Sequence, residues 1–216
     1  MVDLVAELYE RAIPKYCQGR LLDLGCGHAP LYMRYKDCVS DVTCVDWAES
    51  LHQNRLLDVI HDLNEPFPLD DNTFDCVICS DVLEHIYKPT NVWNETYRIM
   101  KPGGVLLLNV PIYYWIQEMP HDYHRYTKFS LNRYATDAGF DDVKVMSVGG
   151  KGHVLADVIG RLLKKVPGSK YWVRFLHQLV ASSPQKTLAA AMSNSTTNRW
   201  PYLYFVVAHK KKNTTR

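Results

Sequence analysis

The run Leu21-Leu22-Asp23-Leu24-Gly25-Cys26-Gly27-His28-Ala29 constrains the fold more than any other stretch of this chain. An apolar segment carries an acid and breaks at once into a glycine-rich turn. Gly25 and Gly27 stand where a chain swings sharply out of a strand, because glycine reaches positive φ without a Cβ clash and lets backbone approach a ligand. Further on, Val42-Thr43-Cys44-Val45-Asp46 reads as a second short strand that also ends in an acid. Two such strands, about twenty residues apart, read as a βαβ unit holding a nucleoside-bearing ligand.

The chemistry of the turn separates two kinds of ligand. A dinucleotide site places a pyrophosphate on free helix N–H groups through the pattern G-x-G-x-x-G. Here the third glycine is missing: Ala29 precedes Pro30, and proline suits the first turn of a helix, where no N–H is required. Asp23 would repel a pyrophosphate, but it suits a ligand carrying an ammonium and a sulfonium. Asp46, closing the second strand, is placed to accept hydrogen bonds from both ribose hydroxyls. The alternative is a strand–turn–helix with no ligand, which the glycine pattern alone does not exclude.

On these residues the chain resembles class I S-adenosylmethionine-dependent methyltransferases, over residues 20–148. Asp23, Gly25, Cys26 and Gly27 fall in the first motif, with Ala29 in place of its usual third glycine. Asp46 matches the ribose-binding acid, and Trp47 stands beside it as an adenine neighbour. Asp62-Leu63 matches the adenine contact, Phe74–Ser80 the fourth strand, and Met100–Leu108 the turn and fifth strand. Ser80-Asp81-Val82-Leu83-Glu84-His85 resembles the loop against the methionine moiety. The resemblance implies S-adenosylmethionine as cofactor, S-adenosylhomocysteine as product, and an antiparallel last strand.

At 47% hydrophobic residues the chain can bury one good core, and a single domain over residues 1–216 is the simplest expectation. No apolar stretch approaches a membrane span, and Met1-Val2-Asp3-Leu4 does not read as a signal peptide. Six cysteines fall mostly in predicted strands and turns. Cys76 and Cys79 lie on opposite faces of one strand, a poor metal clip with no second pair to complete a zinc site. No metal is expected, and reduced thiols point to a cytoplasmic location. Charge is unevenly spread. Residues 1–150 hold 13 Lys and Arg against 22 Asp and Glu, whereas residues 151–216 hold 12 against Asp157 alone. Such a basic third suggests an anionic partner, including peripheral contact with the inner face of a membrane, or else merely a solubilising surface.

Apolar spacing predicts a helix over 2–16, led by Leu4, Val5, Leu8, Ala12 and Ile13. Strands are expected at about 20–24, 42–46, 57–61, 74–79, 103–110, 142–148 and 201–209, with helices between them, including 88–100 and one capped by Ser130 and ended by Gly139. The expected fold is a three-layer, Rossmann-like α/β domain with a seven-stranded mixed sheet. A long helical insertion is expected at about 150–200, with helices at Val154–Val166 and Tyr171–Ala191. Its stripes can pack as a lid over a substrate, or lie on an anionic membrane.

Acceptors sit beyond the carboxyl ends of the strands in such a sheet, so the loops after strands four and five face the transferable methyl group. The first holds Asp81, Glu84 and His85. The second contains Pro120-His121-Asp122-Tyr123-His124-Arg125-Tyr126-Thr127, whose ionisable groups are expensive to bury without partners. His121 and His124 are the obvious bases for a hydroxyl acceptor. His85 is either a base or a cofactor neighbour. Arg125 can hold a phosphate or carboxylate, and Tyr123 and Tyr126 can wall a sugar or ring. The plainer alternative pairs Asp122 with Arg125 and leaves the aromatics to order the loop. This loop is similar to one in methyltransferases of bacterial surface-polysaccharide biosynthesis, which implies O-methylation of a sugar or glycan, nucleotide- or lipid-phosphate-linked. Two alternatives stand beside it: a quinone or other lipophilic small-molecule acceptor, and a non-catalytic cofactor-binding regulatory subunit. Nucleic acid is not expected, because the Asn/Asp-Pro-Pro-Tyr/Phe motif of base-methylating enzymes is replaced by Ser80-Asp81-Val82-Leu83.

Overall fold

The structure, a computed structural model, describes residues 2–50, 54–162 and 197–212. Its elements are α1 (Val2–Tyr16), β1 (Arg20–Leu24), α2 (Tyr32–Tyr35), β2 (Asp41–Asp46), β3 (Val59–Ile60), β4 (Phe74–Ser80), a 3-10 turn (Leu83–His85), α3 (Pro89–Ile99), β5 (Met100–Pro111), α4 (Lys128–Asp137), β6 (Asp141–Val148), α5 (Lys151–Leu162) and β7 (Leu203–His209). The seven strands form one sheet in the order β3-β2-β1-β4-β5-β7-β6. Strands β1 to β5 run parallel. The last strand is antiparallel: Gly103 N–H donates to the Lys210 carbonyl and Lys210 N–H to the Gly104 carbonyl, each at 2.9 Å.

Burial explains the central strands. Leu21, Leu22 and Leu24 of β1, Cys76 to Cys79 of β4 and Leu106 to Val110 of β5 are buried on both faces, as expected of parallel strands covered by helices. Chain direction dictates where the helices go. From β1 the chain passes through α2 to β2 on one side, and from β4 through α3 to β5 on the other. Right-handed crossovers therefore put α2 and α3 on opposite faces.

Local chemistry corrects several expected boundaries. The helix after the glycine turn is only four residues, and Pro30 lies in the turn before it. Strand β3 is two residues long, at the sheet edge. Thr127, not Ser130, caps α4: the Thr127 hydroxyl accepts from Ser130 N–H while the Ser130 hydroxyl accepts from Thr127 N–H, a reciprocal capping box.

The chain divides into two compact units. One comprises Met1–Val110, Ile116–Val145 and Phe205–Arg216; the other comprises Pro111–Trp115 and Met146–Tyr204. In the second unit, α5 opens the expected insertion. Arg161 pairs with Asp157 at 2.6 Å and lies over the rings of Tyr114 and Trp115, 4.5 and 4.2 Å from their centroids. Tyr113 stacks on Trp200 at 5.9 Å. The end of the first expected helix of the insertion, beyond Leu162, and the whole second helix at 171–191 lie outside the described residues.

Candidate active site

Strand register brings the candidate residues to one edge. Leu24 pairs with Val45, Asp46 with Ile60, Asp23 with Ile78 and Ser80 with Asn109. The carboxyl ends of five strands therefore share one rim. Strand order reverses direction between β1 and β4, and ligands of open α/β sheets bind at such a switch point.

The glycine turn is built against β2. Gly25 and Cys26 N–H groups donate to the Val45 carbonyl at 2.8 and 3.1 Å. Gly27 N–H donates to Asp46 Oδ2 at 3.1 Å, and Trp47 N–H to Asp46 Oδ1 at 2.9 Å. Backbone N–H groups that would hold a pyrophosphate in a dinucleotide site are thus spent on protein. Gly25 has φ +71, and a Cβ there would lie 2.4 Å from Val82 Cγ2, so the turn and the loop after β4 touch with no room for a side chain. His61 N–H reaches the Asp46 carbonyl at 2.8 Å, drawing Asp62 and buried Leu63 alongside. Asp62 Oδ1 accepts from Asn64 N–H and its side-chain amide, fixing that loop.

Two carboxyls at this rim have neutral hydrogen-bond partners. Asp23 is buried and accepts from the Tyr35 hydroxyl at 2.7 Å. Asp81 has φ +52 and accepts from the Asn109 side-chain amide at 2.8 Å. Burial pushes each carboxyl up to about 6, against the opposing pull of those hydrogen bonds. Carboxyls desolvated beside a cradle suit a ligand with an ammonium and a sulfonium, and Asp46 suits a ribose. This donor set fits S-adenosylmethionine.

The loop 116–127 straps over the turn after β4. Tyr123 and His124 N–H groups donate to the Glu84 carbonyl at 2.9 and 3.2 Å, and the Tyr126 hydroxyl to the Leu83 carbonyl at 3.0 Å. His85 Nδ1 donates to the His121 carbonyl at 2.6 Å, and its Nε2 lies 3.9 Å from Glu84 Oε1. The His121 ring meets Trp47 edge-on at 4.9 Å, and its Nδ1 lies 3.0 Å from the Tyr123 hydroxyl. Tyr123 in turn meets Tyr87 at 5.9 Å. The structure therefore brings Trp47, His85, His121 and Tyr123 together.

Other expected site residues have different surroundings. Tyr126 is buried with its hydroxyl engaged, so it anchors the strap instead of walling an acceptor. Arg125 is gripped by Asp122 through two bonds of 2.5 and 2.7 Å, and Asp122 also accepts from Gln117 N–H. That pairing holds the Asp122 carboxyl below its ordinary range. His124 Nε2 is buried without a hydrogen-bond partner.

Sequence patterns did not single out Tyr9, Asn109 or Tyr87, and gave Glu84 only a place in the loop after β4. Asn109 was readable as one polar residue interrupting an apolar strand, Leu106-Leu107-Leu108-Asn109-Val110. Glu84 is buried with Oε2 unpartnered, and burial raises its carboxyl well above the usual range. No group of three or more metal-ligating side chains occurs among the described residues. None of their helices is long and apolar enough to cross a membrane.

Comparison with known proteins agrees with this geometry. Residues 22–108 match a family model described as a methyltransferase domain. A ubiquinone biosynthesis O-methyltransferase of Psychrobacter arcticus is 29% identical over 150 residues, 56% of this chain and 58% of that protein, so the chain matches little more than half the relative's length. Two solved structures share the fold. An S-adenosylmethionine-dependent methyltransferase from Archaeoglobus fulgidus has a TM-score of 0.61 at 19% identity, covering 97% of this chain and 95% of that one. A Haemonchus contortus phosphoethanolamine N-methyltransferase 2, solved with S-adenosylmethionine, has a TM-score of 0.60 at 18% identity, covering 98% and 53%. The matched residues run from the glycine turn through Asp46 to β5, so that the stretch lining the candidate cofactor rim is the stretch the family model covers: residues 22–108 match a methyltransferase domain, and the fold is that of S-adenosylmethionine-dependent methyltransferases.

Proposed function

We propose that this methyltransferase O-methylates a ring hydroxyl of a lipophilic small molecule of the quinol or phenol class, with His85 as base. The observation that carries the reading is the strap. It sets the rings of Trp47, His121, Tyr123 and Tyr87 in a continuous edge-to-face series, with His85 held to the same strap through the His121 carbonyl and its Nε2 3.9 Å from Glu84 Oε1. A stepped aromatic wall favours a planar acceptor. The quinone-pathway name of the relative from Psychrobacter arcticus points the same way.

The glycan reading loses its main physical support. That reading rests on the resemblance of the loop, and Arg125, the residue expected to hold a phosphate, is paired with Asp122. When bound, S-adenosylmethionine supplies a methyl group on an activated sulfonium. The chain's residues supply the rest. His85 Nε2 takes the acceptor's hydroxyl proton, and the His121 carbonyl fixes the tautomer that leaves Nε2 able to do so. The strap excludes water from the rim, and the aromatic wall aligns the hydroxyl with the methyl carbon. Asp46, Trp47, Asp62, Leu63 and Ser80 hold the nucleoside and methionine ends of the cofactor, and Asp23 and Asp81 balance its positive charge. His121 and His124 serve in this reading as wall and strap residues.

The test is a paired acceptor screen. Purified protein with S-adenosylmethionine is offered catechols and hydroquinones bearing alkyl tails, and separately nucleotide sugars and lipid-linked glycans, with products followed by mass spectrometry. Methylation of the ring acceptors is expected. His85→Gln should lower turnover about 100-fold or more while leaving S-adenosylhomocysteine affinity intact. Methylation of a sugar alone, or full turnover by His85→Gln, would overturn the proposal.

A further inference from the structure

We infer that the N-terminal helix is part of the cofactor machinery: Tyr9 and Asn109 are positioning residues that hold Asp81 in its binding geometry and ionised form. This rests on the reading of Asp81 as a cofactor ligand. Three groups form one chain. The Tyr9 hydroxyl donates to Asn109 Oδ1 at 2.9 Å, and the Asn109 side-chain amide donates to Asp81 Oδ1 at 2.8 Å. Asp81 N–H returns to the Asn109 carbonyl at 3.1 Å, closing the link on the backbone.

The arrangement is expensive unless it does something. Tyr9 and Asn109 are both fully buried, at 0% exposure. A polar amide in the middle of a sheet strand costs stability unless every polar atom is satisfied. Within the chain the amide has a fixed sense. The phenol can donate only to the amide oxygen, so the amide must present its N–H to the carboxyl. Tyr9 is itself held edge-on to Phe205 at 5.3 Å, so the hydroxyl cannot swing away.

Asp81 is also the residue that needs such help. It sits at φ +52, a conformation that side-chain-bearing residues rarely adopt, in the turn just past β4. An anion there is opposed by desolvation and favoured by an N–H donor. The groups facing it are the Asn109 amide from β5, the Tyr9 phenol from α1, Ser80 from β4, Glu84 and His85 from the 3-10 turn, and the charge of the N-terminal amino group, which favours the anion in wild type and variants alike. Of these, His85 favours the charged form when protonated, and Glu84 opposes it when ionised. Only the Asn109 amide donates to the carboxylate at hydrogen-bond distance among the bonds described.

The consequence is a pH signature. Removing the donor raises the Asp81 pKa, so the carboxylate is depleted at neutral pH and regained in mild alkali. The experiment titrates S-adenosylhomocysteine into the full chain by calorimetry from pH 5.5 to 8.5, for the wild type, Tyr9→Phe, Asn109→Leu and Asp81→Asn. The ratio of variant to wild-type affinity cancels the ligand's own titration. Tyr9→Phe is expected to weaken binding several-fold at pH 6.5, with recovery by pH 8.5, which moves the inflection up by about half a unit or more. Asn109→Leu should do the same more strongly. Asp81→Asn should bind weakly at every pH with no inflection. Should Asn109→Leu fail to fold, Tyr9→Phe decides alone, since it removes one oxygen. A lowered melting temperature with an unmoved inflection in Tyr9→Phe would make the chain merely structural and overturn the inference. Unchanged affinity in Asp81→Asn would instead remove the cofactor reading of Asp81 itself, and the inference with it.

Discussion

Adding one methyl group at Gly25 isolates what the glycine turn requires. In Gly25→Ala the new Cβ meets two separate penalties. The backbone sits at φ +71, which costs a residue with a Cβ about 1–2 kcal/mol. The Cβ would also lie 2.4 Å from Val82 Cγ2 and 2.8 Å from Cγ1, about 1 Å inside ordinary contact, and overpacking of that kind costs about 1–3 kcal/mol. The total is roughly 2–5 kcal/mol, a large part of the stability of a typical domain but not all of it. Because the second penalty belongs to one partner, it can be removed. Val82→Ala deletes both offending methyls and leaves only the residue 82 Cβ at 3.2 Å, so Gly25→Ala in that background should cost little more than the backbone share. A double-mutant cycle by urea unfolding should therefore return a favourable coupling of about 1–3 kcal/mol. Cofactor affinity follows the same logic, because the clash pushes the turn away from the loop after β4. S-adenosylhomocysteine binding should fall in Gly25→Ala and recover in part in the double variant. Additivity within about 0.5 kcal/mol would refute the argument, since it would mean that Val82 does not press on the turn.

Two further perturbations concern buried carboxyls. Asp23 has a folded pKa of about 6 against an ordinary 3.8, so its contribution to stability is fully present below 3.8 and is lost as pH rises through about 6. Asp23→Asn should thus stabilise the cofactor-free protein at pH 7.5 by roughly 1–3 kcal/mol and weaken cofactor binding; urea unfolding across pH checks the first, and a variant less stable at every pH would refute it. Glu84 is held well above the ordinary range by burial, which favours its protonated form. Glu84→Gln should accordingly melt within about 3 °C of the wild type at pH 7, and a loss above about 2 kcal/mol would show that an anion is required there.

The positions of the candidate cofactor residues were legible because each follows from its backbone address. Gly25 must be glycine at a strand end that touches Val82, and Asp46 closes the neighbouring strand one residue beyond the Leu24–Val45 pair. Periodicity and turn chemistry report such addresses directly. The same logic located the central strands, which are runs of buried apolar residues, and it misjudged boundaries where a side chain intervenes. Thr127 took the cap from Ser130 because its hydroxyl reaches the third helical N–H, which a scan for a capping residue before an apolar run does not resolve.

The acceptor half was less legible for a physical reason. Its properties depend on which side chains cancel one another, and sequence displays charges without their partners. Arg125 reads as an anion receptor until Asp122, three residues earlier, takes both terminal amino groups of its guanidinium. His85, His121 and His124 read alike as bases, yet they are distinguished by contacts across loops. His85 is oriented by a carbonyl 36 positions away. His121 is held between Trp47 and Tyr123, and His124 is tied by its backbone to Glu84. The order in which loops after β2, β4 and β5 meet at the rim decides what each imidazole touches. That order is a property of the sheet: β1 lies between β2 and β4 because the chain reverses its direction of winding there. Topology thus does for the acceptor what local sequence does for the cofactor. A substitution far from the chemistry that shifts the strap against the 3-10 turn is therefore expected to change which acceptor is used before it changes whether the cofactor binds.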